Sequence, residues 1–241
     1  GSPWTIMVQP GPMSLATTTS FGAGISNRVA GVSATLFVQA RDAYSNNLTV
    51  SGTGFITVER PGTASVTVPC VSAAPLLSCS YILTVSGTYS QQVYLSNAVA
   101  GAPTTFAVTA STINPATTTS SGAGITVATA GTYATFTITA RDGYGNAVSD
   151  GGASFSAVIG GVIGTTSVTV RSSITDHKTG QYLVGYDATV TGTYSIYVSL
   201  FSINAGSSPY IGLLVVPGAV SAPASTAFGS GLKGGLVNAP V

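Results

Sequence analysis

Charge is nearly absent from this 241-residue chain: seven Lys and Arg and six Asp and Glu make up 5% of it, against about 25% in an ordinary soluble domain. The formal net charge is +1. Seven basic residues spread over the whole chain cannot build the basic face that phosphate binding needs, which excludes nucleic acid as a partner. Long apolar runs are missing too. Ile211 to Val216 is among the longest, and Gly, Pro, Ser and Thr interrupt the others. No segment approaches the roughly 20 apolar residues of a spanning helix, so no membrane span is expected in this segment. The opening Gly1-Ser2-Pro3 has neither the basic nor the apolar stretch of a secretory signal, and the chain reads as an internal piece or one whose signal has been removed.

Histidine and cysteine are almost as scarce, and this limits chemistry. One His and two Cys are too few for a metal site of the usual donor set. His177 stands between Asp176 and Lys178 in a serine-rich chain, so a Ser-His-Asp triad is arithmetically available. It would need a nucleophile on a constrained elbow and an oxyanion hole, and no Gly-x-Ser-x-Gly phrase is present; His177 reads as a solvated loop residue. The acids Asp42, Asp142, Asp150, Asp176 and Asp187 show no calcium-loop spacing, which leaves a calcium ion at a domain junction as the one metal reading still open. They also show no clustering of the kind that glycoside hydrolysis uses. No enzyme activity and no cofactor are expected. The glycine-rich stretches lack the Lys-Ser/Thr of a phosphate cradle and read as loops.

What the chain has instead is small polar residues. Solubility must come from Ser, Thr, Asn, Gln and Gly, and from sugar if the chain is secreted. Asn47-Leu48-Thr49 is an N-glycosylation sequon, and Ser/Thr clusters beside Pro, such as Asn114 to Thr119, have the composition of O-linked sites. Cys70 and Cys79, with eight residues between them and on neighbouring strands in this reading, suggest one local disulfide and an oxidising compartment; the alternative is two buried thiols.

The chain also repeats itself. Ala16 to Leu48, ATTTSFGAGISNRVAGVSATLFVQARDAYSNNL, recurs a hundred residues on as Ala116 to Val148, ATTTSSGAGITVATAGTYATFTITARDGYGNAV. A period that long is one small domain. Around it fall short alternating segments: Val32 to Ala40, Phe55 to Glu59, Ala64 to Val68, Tyr81 to Val85, Tyr89 to Leu95 and Phe106 to Thr109 in the first copy. The second copy has Ala134 to Ala140, Phe155 to Ile159, Ser167 to Arg171, Tyr182 to Tyr186, Tyr194 to Leu200 and Tyr210 to Val216. Cys70 to Cys79 and Ser172 to Gly180 read as loops. About seven short strands per hundred residues, with turns between them and no helical period, predict an all-β chain of antiparallel β-sandwiches. The expected units are 1–10, the last strand of a preceding repeat; 11–110 and 111–217, two whole repeats; and 218–241, the start of a following one. The chain then reads as a window cut from a longer array.

Four of the few charges recur in place, Arg41-Asp42 and Arg141-Asp142. The structural reading is a turn in which Asp accepts backbone N–H groups while Arg lies across a neighbouring strand. The sharper reading is a repeated contact between adjacent domains or filaments. Most of the eleven Tyr and eight Phe fall at alternating strand positions and should be core. Trp4, Tyr44, Tyr144 and Tyr210 lie near domain ends, where they would pack across junctions and stiffen the array.

Phe228-Gly229-Ser230-Gly231-Leu232-Lys233-Gly234-Gly235 resembles the opening Gly-x-Gly-Leu-x-Gly-Gly phrase of filamin-type immunoglobulin repeats. Gly22-Ala23-Gly24-Ile25 and Gly122-Ala123-Gly124-Ile125 are similar to it without the second glycine pair. The Arg-Asp turns, the Gly1-Ser2-Pro3-Trp4 strand opening and the Thr179-Gly180-Gln181-Tyr182 phrase match the same family pattern; in the first copy Cys79-Ser80-Tyr81 replaces the last of these. The resemblance implies tandem filamin-type immunoglobulin-like sandwiches. The low charge, the cysteine pair and the sequon depart from cytoplasmic actin-linking filamins. They resemble instead extracellular arrays of filamin-like repeats, as in large algal flagellar surface glycoproteins and gamete-surface proteins. That resemblance implies a structural or adhesive role on a cell or flagellar surface. Its partners would be neighbouring repeats, other copies laterally, and glycans. A second expectation, a module accepting a partner strand at Ala64 to Val68 or Ser167 to Arg171, rests on backbone hydrogen bonding at an exposed edge.

Overall fold

The computed structural model describes residues 1, 3–49, 53–229 and 232. Among them, period-two burial builds almost everything. In the first repeat the strands are β1 (Met13–Phe21), β2 (Arg28–Val29), β3 (Ser33–Asp42), β4 (Gly54–Glu59), β5 (Val66–Ala73), β6 (Leu76–Ile82), β7 (Gly87–Leu95) and β8 (Ala98–Thr109). Their hydrogen-bonded order is β1-β3-β6-β5-β4-β7-β8-β2. Alternate residues Leu36, Val38, Ile56, Val58, Leu77, Cys79, Val93, Leu95, Phe106 and Val108 face one core.

The second repeat contains β9 (Thr119–Ser121), β10 (Val127–Thr129), β11 (Ala134–Thr139), β12 (Phe155–Ile163), β13 (Thr166–Val170), β14 (Ser172–Asp176), β15 (Gln181–Tyr186), β16 (Gly192–Leu200), β17 (Ile203–Asn204) and β18 (Tyr210–Val216). They make two sheets, β10-β18-β16-β12-β13 with β17 beside β16, and β14-β15-β11-β9. Phe136, Ile138, Ile159, Tyr182, Val184, Tyr186, Tyr194, Ile196, Val198 and Leu213 fill a second, separate core between them. Two inward faces closed over an apolar layer are the all-β sandwich expected from the alternation.

Four local expectations are corrected. Cys70 to Cys79 is not a loop. β5 pairs with β4 through residues 66–70, crosses to the other sheet, and pairs with β6 through residues 71–73. Pro69 lies within β5 opposite Phe55, and Pro75 occupies the tight turn between β5 and β6. Ser172 to Gly180 likewise begins with a strand, β14, paired with β15. The Ser/Thr-rich stretches before each Gly-Ala-Gly-Ile carry no apolar alternation, yet form β1 and β9 against β3 and β11. The Gly-Ala-Gly-Ile phrases themselves are single 3-10 turns at Ala23–Ile25 and Ala123–Ile125 rather than loops. Two short parallel pairings, β2 with β8 and β10 with β18, interrupt an otherwise antiparallel scheme.

The repeated phrase has a packing reason. The buried hydroxyl of Tyr186 donates to the carbonyl of Gly124 at 2.6 Å, and Tyr81 makes the matching bond to Gly24. A Cβ on Gly24 would fall 2.7 Å from Leu36, and one on Gly124 2.5 Å from the Thr135 carbonyl. Only glycine lets the turn approach the strand this closely. Burial pushes the Tyr186 hydroxyl up to about 12. It also raises Tyr81, where the hydrogen bond and charge of Arg28 partly oppose it.

Candidate functional site

The two Arg-Asp turns are the most closely matched side-chain constellations in the molecule. Asp42 ends β3 almost wholly buried. Its carboxylate accepts the backbone N–H of Gly11, Tyr44 and Asn46 at 2.8, 2.9 and 2.9 Å, and the Asn46 side-chain amide at 2.8 Å. Asp142 accepts from Ser111, Tyr144 and Asn146, and from the Asn146 amide, at 2.8, 2.9, 2.9 and 2.8 Å. A carboxylate that receives so many donors is held ionised. The Asn46 amide, with the three backbone donors and against a smaller cost of burial, holds Asp42 down at about 2. For Asp142 burial opposes, and the Asn146, Ser111 and Tyr144 donors outweigh it, so its carboxyl also lies below the ordinary range.

Arg41 and Arg141 brace these turns from outside. Each Nε faces a threonine hydroxyl of the adjoining strand, Thr19 or Thr119, at 3.4 Å. One terminal nitrogen of each donates to a carbonyl inside the turn, Ser45 at 2.9 Å or Gly145 at 2.7 Å. Thr17 and Thr117 complete the set by donating to the carbonyls of Asp42 and Asp142.

One turn also reaches another repeat. The Asn146 amide nitrogen donates to the carbonyl of Thr84 at 2.7 Å, and its oxygen accepts the N–H of Ser86 at 2.8 Å. Thr84 and Ser86 lie in the connection from β6 to β7 of the first repeat. The Tyr144 ring lies over Gly31: a Cβ there would sit 2.2 Å from the Tyr144 hydroxyl. Asp142 therefore positions Asn146, and Asn146 and Tyr144 hold the junction. Asn146 is 8% exposed, so its paired bonds are shielded from water and worth more than surface ones. The sequence reading of the Arg-Asp pair missed Asn46 and Asn146. The signal was present in the recurrence Asp-x-Tyr-x-Asn at 42–46 and 142–146.

The cysteines and the other singled-out residues fall elsewhere. Cys70 and Cys79 are bonded to each other across β5 and β6, directly beside the β5–β6 pair Val71 and Ser78. Asn47 is exposed at the turn edge. Thr118 is 1% exposed and donates to the Asn114 carbonyl, and Thr117 is likewise engaged, which corrects the O-glycan reading of these two hydroxyls. His177 is exposed, and neighbouring Asp176 is occupied by the N–H groups of Lys178 and Gly152 at 2.7 Å each. Tyr210 packs on the second core, while Trp4 and Tyr44 are 94% and 87% exposed. Residues 3–10 form no strand and are exposed. Most of 230–241, including most of the Gly-x-Gly-Leu-x-Gly-Gly phrase, lies outside the described residues. Among the described residues no three His, Cys, Asp or Glu side chains group as metal ligands, and no helix is long and apolar enough to cross a membrane.

A groove of about 590 Å³ opens where the repeats meet, lined by Val29, Ala110, Ile113, Asp150, Gly152 and Phe201 among others. Its one acidic lining residue is Asp150, with Ser111, Thr112 and Ser154 as the hydroxyl-bearing ones.

These features, a sandwich closed by a Gly-Ala-Gly-Ile turn and an Arg-Asp corner, agree with comparison to known families. Residues 112–211 match the filamin/ABP280 repeat. No curated protein matches the sequence. Among solved structures the chain is similar to the Escherichia coli adhesin FdeC, at 21% identity and a TM-score of 0.57, over 89% of this chain and 68% of that one. It is also similar to InvD of Yersinia pseudotuberculosis, at 20% identity and a TM-score of 0.50, over 89% of this chain and 62% of that one. At these identities the likeness is one of fold: tandem all-β, immunoglobulin-like sandwiches with a filamin-type repeat.

Proposed function

We propose that the chain is part of an extracellular structural array, a rod or coat of filamin-like repeats on a cell or flagellar surface that also serves adhesion. Its units would be 11–110 and 111–217, with 1–10 and 218–241 belonging to flanking repeats. The observation that carries this reading is the Cys70–Cys79 bond, because such bonds persist in oxidising compartments. The exposed sequon at Asn47 and the near absence of charge agree with a glycan-bearing, neutral surface that packs laterally without repulsion. The fold likeness to the Escherichia coli adhesin FdeC is consistent with it. Mechanically, each sandwich resists extension through its ladders, and the disulfide clips the strand that crosses between sheets.

The test is to label intact cells of the source organism with a membrane-impermeant reagent and to image the protein in place, alongside intact mass with and without reductant and deglycosylation. Surface labelling, a reduction-dependent mass and a glycan at Asn47 are expected. A cytosolic protein with both thiols reduced would overturn the reading.

The strand-accepting alternative has a geometric basis: β13 is the outer strand of its sheet, and residues 66–70 of β5 pair on one side only. Against it, the β13 edge exposes Thr166, Ser167 and Thr169, and Pro69 removes a donor from the β5 edge, where Val66 and Thr67 are exposed. A recognition role between cells would use the same surface array.

A further inference from the structure

The Arg-Asp turn occurs twice, and only one copy is docked. Asn46 is held to Asp42 by the same backbone and side-chain bonds that hold Asn146 to Asp142. Asn146 spends its remaining amide hydrogen and its oxygen on Thr84 and Ser86, whereas Asn46 is exposed. Tyr44 projects 87% exposed, where Tyr144 covers Gly31. The first repeat therefore presents a finished plug.

The complementary corner occurs twice as well. Gly31 and Gly131 share left-handed backbone, with φ of 83° and 74°. Their N–H groups donate to Leu83 at 2.8 Å and Ala188 at 2.9 Å. Tyr89 donates to the Val85 carbonyl and Tyr194 to that of Val190, both at 2.8 Å, so Thr84 and Ser86 correspond to Thr189 and Thr191. In the first repeat this corner is covered by Tyr144 and Asn146. In the second a Cβ on Gly131 would meet nothing within 4 Å, and Thr189, Val190 and Thr191 are exposed.

We propose that the Tyr44–Asn46 turn of one copy docks on the Gly131–Thr189–Thr191 corner of a second copy, reproducing the internal junction head to tail. The Asn46 oxygen accepts the Thr191 N–H, its amide donates to the Thr189 carbonyl, and the Tyr44 ring covers Gly131. Because plug and socket lie on different surfaces, the contact is heterologous and propagates as a filament unless a ring closes. The proposal deepens the rod reading and takes its biological setting from it. The chemistry is independent of compartment, so a cytosolic location would overturn that reading and leave this one standing.

Tethering gives the internal junction an effective concentration in the millimolar range, so the contact between copies is sought at millimolar protein. Sedimentation velocity and amide NMR of the 241-residue chain are expected to show mass rising with concentration. The signals of Asn46, Gly131, Thr189 and Thr191 should shift together. Asn46→Ala removes the plug and Thr191→Pro removes the N–H of the socket; each alone is expected to stay monomeric. Mixed, they should form a dimer and nothing larger, since only one plug and one socket survive. Tyr44→Ala, with Asn46→Ala, carries the test if Thr191→Pro fails to fold. A wild-type chain that stays monomeric overturns the proposal. So does association that survives Asn46→Ala, as pairing along the β5 or β13 edges would.

Discussion

The two repeats share a frame and differ in what fills it. Across the frame, Tyr89 corresponds to Tyr194, Gln91 to Ile196, Tyr81 to Tyr186 and Cys79 to Val184. The second repeat has Ile196 fully buried. The first has Gln91 in its place, 1% exposed, with both amide atoms lacking a hydrogen-bond partner among the described residues. Arg28 stands where the second repeat has buried Ala128. Its guanidinium lies 4.2 Å above the Phe106 ring centroid and 4.8 Å above that of Tyr81, with two of its nitrogens unpaired among the described residues. The disulfide occupies the cross-strand site that Ile174 and Val184 fill in the second repeat. The first repeat thus carries polar burdens in its core and a covalent clip, while the second relies on apolar packing. The lesson is that the sandwich is specified by alternation and corner chemistry. Core polarity is tolerated where something else holds the strands.

Four experiments break or sharpen this contrast. The largest effect is expected from Asp142→Ala, which leaves four donors without an acceptor. Unpaired buried donors cost about 1–3 kcal/mol each before relaxation, so a loss above about 3 kcal/mol in the unfolding of the second repeat is expected. Asn146 should release at the same time, read as loss of its side-chain amide protection. An unfolding curve that keeps its wild-type midpoint would show that the corner is not a shared determinant.

Next, Cys70→Ala with Cys79→Ala should lower the first repeat by about 2–3 kcal/mol, from the loop that the bond closes, and leave the second unchanged. Cys70→Ile with Cys79→Val, the second repeat's own pair, should recover part of the loss. If both variants unfold alike, the two sites are not equivalent.

Gln91→Ile should stabilise the first repeat by about 1–3 kcal/mol by removing an unpaired buried amide, and Ile196→Gln should cost the second at least as much. Chemical denaturation followed by tyrosine fluorescence would register both, and a Gln91→Ile variant less stable than wild type would point to a partner for that amide.

The smallest effects are those of pH, and they lie outside the neutral range. Asp42 has a folded value of about 2, below its ordinary 3.8. Its stabilisation is present above about pH 4 and is lost as pH falls through 2. Tyr186 is raised from 10.0 to about 12, so the folded state holds a proton that the unfolded chain releases first, and stability falls between about pH 10 and 12. Denaturation midpoints that stay flat from about pH 5 to 9 and drop on both sides are expected; Asp42→Asn should blunt the acid limb and Tyr186→Phe the alkaline one.

By itself the sequence determined the fold class. Alternation at Val32 to Ala40 and its second-repeat counterpart forces one face inward, and a hundred-residue period repeats the outcome. It also determined the Arg-Asp corner, because a short acidic side chain beside Asn, Ser and Gly bonds its own backbone in any context. That 1–10 and 218–241 belong to further repeats is a proposal resting on sequence pattern alone. Tertiary structure decided the rest. Thr117 and Thr118 look like a glycan-bearing tract until the carbonyls of Asn114 and Asp142 supply partners for their hydroxyls. Cys70 to Cys79 looks like a loop until β5 crosses between sheets. Asn146 looks like an ordinary turn residue until Thr84 and Ser86 come within 2.7–2.8 Å of it. Local propensity is written in neighbouring residues, whereas a hydrogen bond between positions about sixty apart exists only once both cores have closed.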